Sequence, residues 1–386
     1  MAQRRPATIT ALAIPAHEVE KEEKGVKARI LTALLTVVLL PCVVVAQPSK
    51  MVRQPQNVIL IVGDGMGVAQ VYSSVVAQGD SSAFFRFPIT GFSRTYSYNR
   101  YTTDSGAGGT ALMTGYKVEN QHIAFGPNGE WYKSFLSRAK AEKGMKAGFV
   151  VTSSVLDATP AATYAHASYR KAFDTISMHM AQCGFDVMIG GDRDHFLPAN
   201  RKDGKAPLDT LRKAGYTLVF DTAALAKAKA APLCALLTDG NPPAAPQRGD
   251  MLRRGVDYAL RTLPNKRGFV LMVEGSQIDW AAHDNDTAHL AAEMVDFEEV
   301  LRQVLDFAAK DGNTLVVVTA DHETGGLSLL NGSIAEGTNR MHFATGSHSG
   351  VMVPVFAYGP GAELFSGIQQ NTDIARKIMR LLQIEP

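Results

Sequence analysis

Cysteine is scarce. The 386-residue chain holds 3, Cys42, Cys183 and Cys234, which excludes a small scaffold stapled by disulfides. An excess of charge of one sign is missing too. Lys and Arg number 39 and Asp and Glu 37; residues 1–46 hold six of the former and four of the latter, so the remainder is formally neutral. A chain without a basic face has no electrostatic footprint for nucleic acid or an anionic membrane. Nor is there a long apolar run, since the most hydrophobic stretch, Ile30–Val45, stops short of the roughly 20 residues a bilayer span needs. What is present, 46% hydrophobic and 20% charged residues with 34 Gly, excludes disordered and collagen-like classes.

The apolar stretch follows Lys27-Ala28-Arg29 and ends in Val44-Val45-Ala46 before Gln47, the basic, apolar and small-residue parts of a secretory signal. Pro41 inside the run argues against an anchor helix, and its place before Cys42 argues against a lipid anchor there. Residues 1–46 are expected to be a leader, and 47–386 a mature chain, periplasmic or secreted, without a stable membrane span. Residues 1–25 mix Arg, Glu and Pro ahead of the leader's basic start, so Val26 is read as the initiator. Loss of Cys42 leaves Cys183 and Cys234, which an oxidising compartment can join or leave as buried thiols.

Short apolar, β-branched runs recur at Val58–Val62, Phe149–Thr152, Val187–Ile189, Phe269–Val273, Leu315–Thr319 and Val353–Ala357. They are apolar throughout rather than alternating, as strands buried on both faces require, so the pattern predicts an α/β fold with a parallel sheet covered by helices. Helical spacing marks Lys133–Lys143, Leu208–Ala214, Met251–Thr262 and Asp286–Lys310. The Ala/Lys/Pro-rich stretch Ala223–Arg248 reads as a surface excursion, a loop or partial lid.

The chemistry sits at strand ends. Val58–Val62 runs into Gly63-Asp64-Gly65-Met66-Gly67, Phe269–Val273 into Glu274, Asp279 and His283, and Leu315–Thr319 into Ala320-Asp321-His322. In open α/β sheets sites form beyond the carboxyl ends of strands, so these groups should converge on one rim and offer carboxylates and imidazoles to divalent metals. Ser105, followed by Gly106-Ala107-Gly108-Gly109, is placed to present a hydroxyl at a helix N-terminus, where negative charge is favoured. A metal can activate such a hydroxyl without a histidine base. His122, His166, His179, His195, His289 and His342 have no assignable carboxylate partner and are read as structural or surface residues.

Six segments together resemble the alkaline phosphatase family: Gly63–Gly67, Thr103-Asp104-Ser105, Asp157–Ala162 through Arg170, Val273–Asp279 through His283, Thr319–Gly326, and His348-Ser349-Gly350 through Tyr358-Gly359-Pro360. They span Asn57 to about Pro360, and their order is far more specific than any one of them. The resemblance implies a three-layer α/β/α sandwich with a central, mostly parallel, doubly wound sheet, built as one catalytic domain over 47–386. It implies two Zn2+ and one Mg2+: Asp279, His283 and His348 for one zinc, Asp64, Asp321 and His322 for the second, and Asp64, Thr159 and Glu274 for magnesium. Ser105 would be the nucleophile that becomes phosphoserine, Arg170 the clamp on two phosphate oxygens, and Asp104 an aid in aiming Arg170. The substrates would be small-molecule phosphate monoesters, hydrolysed at alkaline pH.

Trp280 and Asp157 depart from the best-known relatives at positions beside the metal ligands, which touches turnover and the third metal. Between Gly326 and His348 there is no room for the crown-like insertion of animal members, which leaves a homodimer open but not through a crown. A phosphodiesterase of the same superfamily, or an exported phosphate- or metal-binding protein without turnover, are the alternatives.

Overall fold

A computed structural model describes residues 52–385; the leader, Val26, Cys42 and the junction at Ala46 lie outside the described residues. Strand β1 (Asn57–Gly63) is buried along its whole length. Val58, Leu60 and Val62 enter one apolar core, and Ile59 and Ile61 the other, because alternate side chains leave a strand by opposite faces. A strand that from Val58 to Val62 is apolar on both sides belongs in mid-sheet between two helix layers.

The strands that follow are β2 (Ile89–Arg94), β3 (Lys146–Ser154), β4 (Val187–Gly191), β5 (Thr217–Val219), β6 (Leu233–Leu236), β7 (Phe269–Gly275), β8 (Thr314–Thr319), β9 (Glu323–Thr324), β10 (Leu327–Ser333), β11 (Thr338–Phe343), β12 (His348–Ser349), β13 (Val353–Tyr358) and β14 (Gly367–Gln370). Ten form one sheet in the order β14-β2-β13-β8-β1-β7-β3-β4-β6-β5. Its neighbours pair in parallel except at β13, which is antiparallel to both β2 and β8. Helices Ser105–Thr114, Phe135–Lys143, Phe173–Gln182 and Asn371–Leu381 cover one face, and Val68–Gln78, Met251–Thr262 and Thr287–Asp311 the other. This is the expected three-layer α/β/α sandwich.

All six predicted strands form, the Val353 run being the one that opposes the rest. Within Ala223–Arg248 the expectation of a surface excursion is overturned: Leu233–Leu236 is β6, buried and paired with both β4 and β5. Four residues that include Cys and Ala make too short an apolar run to stand out from the Ala/Lys/Pro text around them. The Pro242 and Pro243 carbonyls are tied down by the Gln277 amide at 2.9 and 3.3 Å. Cys183 and Cys234 are free thiols, and burial pushes Cys183 up to about 12. No helix among the described residues is long and apolar enough to cross a membrane.

Register is what gathers the site. Val62 lies level with Glu274 on β7 and with Thr319 on β8, so Asp64, Glu274 and Asp321 emerge together at the carboxyl ends of the three central strands.

Candidate active site

Helix Ser105–Thr114 reads SGAGGTALMT and is buried at every residue. Asp104 caps its start, Oδ1 accepting from the Ala107 amide at 3.0 Å, and Gly115 in the left-handed region ends it. The glycines let the backbone lie against two ligand loops: a Cβ on Gly108 would stand 3.0 Å from the Asp321 carbonyl, and one on Gly109 3.1 Å from Thr159 Cα. Ser105, 4% exposed, opens this helix with Oγ 3.2 Å from His322 Nε2.

Around Ser105 lie the candidate metal ligands. Asp279 and His283, one turn apart on helix Gln277–His283, meet His348: His283 Nε2 is 3.4 Å from Asp279 Oδ2, His348 Nε2 is 3.6 Å from Asp279 Oδ1, and the two Nε2 atoms stand 3.0 Å apart. His283 Nδ1 faces the Gly346 carbonyl and His348 Nδ1 the Thr103 carbonyl, each at 2.9 Å. Each carbonyl holds a proton on Nδ1 and leaves Nε2 as a lone pair, so two acceptors face each other as they do around a cation. Asp64, Asp279 and His322 also offer ligand atoms within 4.8 Å of one another. Asp321, the expected third member there, has Oδ2 3.1 Å from His322 Nε2.

Of the ten buried side-chain oxygens without a hydrogen-bond partner among the described residues, four belong to expected ligands: Asp64 Oδ1, Thr159 Oγ1, Glu274 Oε2 and Asp321 Oδ2. Burial pushes the carboxyls of Asp64 and Glu274 well up, and neighbouring charges add to it, chiefly Asp321 for Asp64 and Asp157 for Glu274. Asp321 is raised by burial as well. His322 is driven well down by burial, with His348 adding to it, and so is neutral and able to ligate. Orphaned buried oxygens are costly in protein alone and fit the coordination sphere of divalent cations.

Arg170 reaches into the same space, Nη2 at 3.0 Å from Asp157 Oδ1 and Nη1 at 3.4 Å from Asp104 Oδ2. Asp157, read as a neighbour of the metal ligands, therefore holds Arg170 more closely than Asp104 does. Two residues escaped the sequence reading. Thr324 hydrogen-bonds Asp279 Oδ1 and faces His322 Nδ1 at 3.2 Å; it lies inside the segment Thr319–Gly326, but nothing in the spacing gave it a contact. Gln121 binds Asp104 with no sequence signal at all. Of the histidines set aside, two do have carboxylate partners: His195 Nδ1 lies 2.7 Å from Asp192 Oδ1 and His289 Nε2 3.2 Å from Glu293 Oε1. Each pairs with a single acid on the same local segment, with no further ligand.

A serine at a buried helix N-terminus, backed by clustered imidazoles and orphaned carboxylates and faced by an arginine, defines a metal-dependent α/β hydrolase of phosphate esters. The alkaline phosphatase sequence profile matches residues 55–344 and 335–384. Alkaline phosphatase 4 of Bacillus subtilis (strain 168) is 34% identical over 85% of this chain and 89% of its own length. The alkaline phosphatase of Escherichia coli (strain K12) is 30% identical over 83% and 85%. Among solved structures, the alkaline phosphatase of the Antarctic bacterium TAB5 has a TM-score of 0.80 at 35% identity, over 87% of this chain and all of that one. Its His-to-Asp mutant, with Mg bound in the M3 site, gives the same score at 36%. The chain belongs to the alkaline phosphatase family and is a metal-binding phosphoric monoester hydrolase.

Proposed function

We propose that Asp279, His283 and His348 hold one Zn2+, that Asp64, Asp321 and His322 hold the second, and that Asp64, Thr159 and Glu274 hold Mg2+. The observation that carries this reading is the clustering of candidate ligand atoms on Asp279, His283 and His348 and on Asp64, Asp279 and His322, with orphaned buried oxygens on Asp64, Thr159, Glu274 and Asp321 beside them. Mixed imidazole and carboxylate donors suit zinc, whereas the all-oxygen set of Asp64, Thr159 and Glu274 suits the harder magnesium. The Mg in the M3 site of the TAB5 mutant supports that choice. When bound, the metals lower the pKa of the attacking hydroxyl and offset charge on the phosphoryl oxygens.

Ser105 Oγ attacks phosphorus from the helix N-terminus, whose backbone N–H groups favour the incoming anion. The alcohol departs on the opposite side, and water then cleaves the phosphoserine. Arg170 grips two non-bridging oxygens with its planar fork and so selects a dianionic monoester over a diester. Asp104 and Asp157 fix where that fork lies.

Residues 47–386 act as one catalytic domain after removal of the 1–46 leader, in the periplasm or outside the cell. The export reading rests on the leader's three-part pattern. Exposed apolar side chains Val68, Tyr72, Leu330, Ile334, Val351 and Met352 support a homodimer. The deciding experiment is hydrolysis of p-nitrophenyl phosphate beside its bis ester at alkaline pH, before and after chelation and restoration with zinc and magnesium. Fast, chelator-sensitive monoester cleavage with slow diester cleavage supports the assignment, and the reverse preference would replace it with a phosphodiesterase.

A further inference from the structure

Gln121 is a non-glycine residue with φ of 74°, a conformation that disfavours a branched or long side chain and persists only where the surroundings enforce it. Three hydrogen bonds show what enforces it. Its backbone N–H and its side-chain Nε2 both donate to Asp104 Oδ2 at 2.9 Å, and its carbonyl accepts from the Arg170 backbone N–H at 2.7 Å. One residue thus joins the cap of the nucleophile helix to the backbone of the phosphate-clamping arginine. The neighbouring chain keeps it in place: the Asn120 amide donates to the Thr102 carbonyl at 3.1 Å, and Ile123 pairs in both directions with Ala167. Beside it, a Cβ on Gly106 would stand 2.9 Å from the His122 carbonyl, so the segment lies directly on the first turn of the Ser105 helix.

Asp104 Oδ2 therefore receives three donors, the two from Gln121 and Arg170 Nη1, and the arginine contact is the longest at 3.4 Å. An acceptor oxygen that shares its charge among several donors holds each one less tightly. We propose that Gln121 is a positioning residue for phosphate binding: its amide occupies Asp104 Oδ2 and so keeps the Arg170 guanidinium available to substrate. Without the amide, Asp104 draws Arg170 closer and competes with phosphate for the same N–H groups. This rests on the reading of Arg170 as the phosphate clamp.

The test uses Gln121→Gly, which accepts the left-handed backbone and keeps both main-chain bonds while removing the amide, with Gln121→Asn as the variant that restores a shorter amide. In the metal-loaded enzyme, Gln121→Gly should raise KM for p-nitrophenyl phosphate and Ki for inorganic phosphate together by about three- to tenfold, with kcat not lowered and thermal midpoint not lowered. Gln121→Asn should recover part of the phosphate affinity. In an Arg170→Ala background, Gln121→Gly should change Ki no further. An unchanged Ki in Gln121→Gly, or an undiminished effect without Arg170, overturns the role of Gln121. If Arg170→Ala itself leaves the phosphate Ki unchanged, the clamp reading fails instead.

Discussion

In the proposed reaction Ser105 and Arg170 have separate roles, and their substitutions should fail differently. Ser105→Ala removes the only route to phosphoserine, so kcat/KM for p-nitrophenyl phosphate should fall by about a thousandfold or more while the metals stay bound. Arg170→Ala should mainly weaken binding, raising KM and the phosphate inhibition constant about tenfold or more, because a charge-assisted pair of hydrogen bonds is lost. Steady-state kinetics with phosphate as inhibitor separate the two. Of the candidate ligands, Thr159 and His348 came only from the family resemblance, whereas Asp64, Glu274, Asp279, His283, Asp321 and His322 were legible together because they form three clusters that each follow a buried apolar run. The contacts that orient them were not. Thr324, the Thr103 and Gly346 carbonyls and Gln121 act through backbone paths or ordinary polar side chains, and only folding brings them to their partners.

At the scale of elements, helix Ser105–Thr114 depends on having almost no side chains where it crosses the ligand loops. Gly108→Val would put branched carbon where even a Cβ stands 3.0 Å from the Asp321 carbonyl, and the helix must shift. Overpacking of this kind costs about 1–3 kcal/mol, and activity should fall further than stability because Ser105 moves with the helix; a thermal melt beside kcat measures both. A second element-level device is the buried pair Arg248–Glu293, both side chains at or below 1% exposure, where helix Ala245–Arg248 meets Thr287–Asp311. Arg248→Ala should destabilise by about 3–5 kcal/mol, since it strands Glu293 in the interior, as urea unfolding can check. The long helix was readable from its stripe of Leu290, Met294, Phe297, Leu301 and Val304, whereas β6 and the edge strands β5 and β14 were not. Three or four residues give too little periodicity, and their pairing is decided by the sheet beside them.

For the whole molecule, the proposed metals would hold together a cluster that the protein alone disfavours. Asp64, Glu274 and Asp321 are pushed upward mainly by burial, so each favours the fold when protonated. That contribution is complete below the usual carboxylate range near pH 4 and is lost as pH rises through the raised values. His322 is pushed downward and works in the opposite sense, favouring the fold above its usual value near 6.5 and losing that as pH falls. As the carboxyls ionise, chelated protein should lose thermal stability as pH rises above the usual carboxylate range near 4, the His322 contribution running the other way below about 6.5. The metal-loaded enzyme should not, because cations offset the ionised carboxylates. Melting curves with and without chelator across that rise in pH give the comparison.

The register that gathers the site also decides when it can exist. The central strand β1 takes its partners from β7 and β8, more than two hundred residues later in the chain, and His348 comes later still. While the polypeptide is being made, Ser105 emerges long before the groups that would arm it, and pairings so distant in sequence are slow to form. A chain truncated before His348 carries the nucleophile and most of the proposed ligands but lacks the last member of the Asp279, His283 and His348 set. On the proposed ligand set, activity waits until synthesis has passed His348.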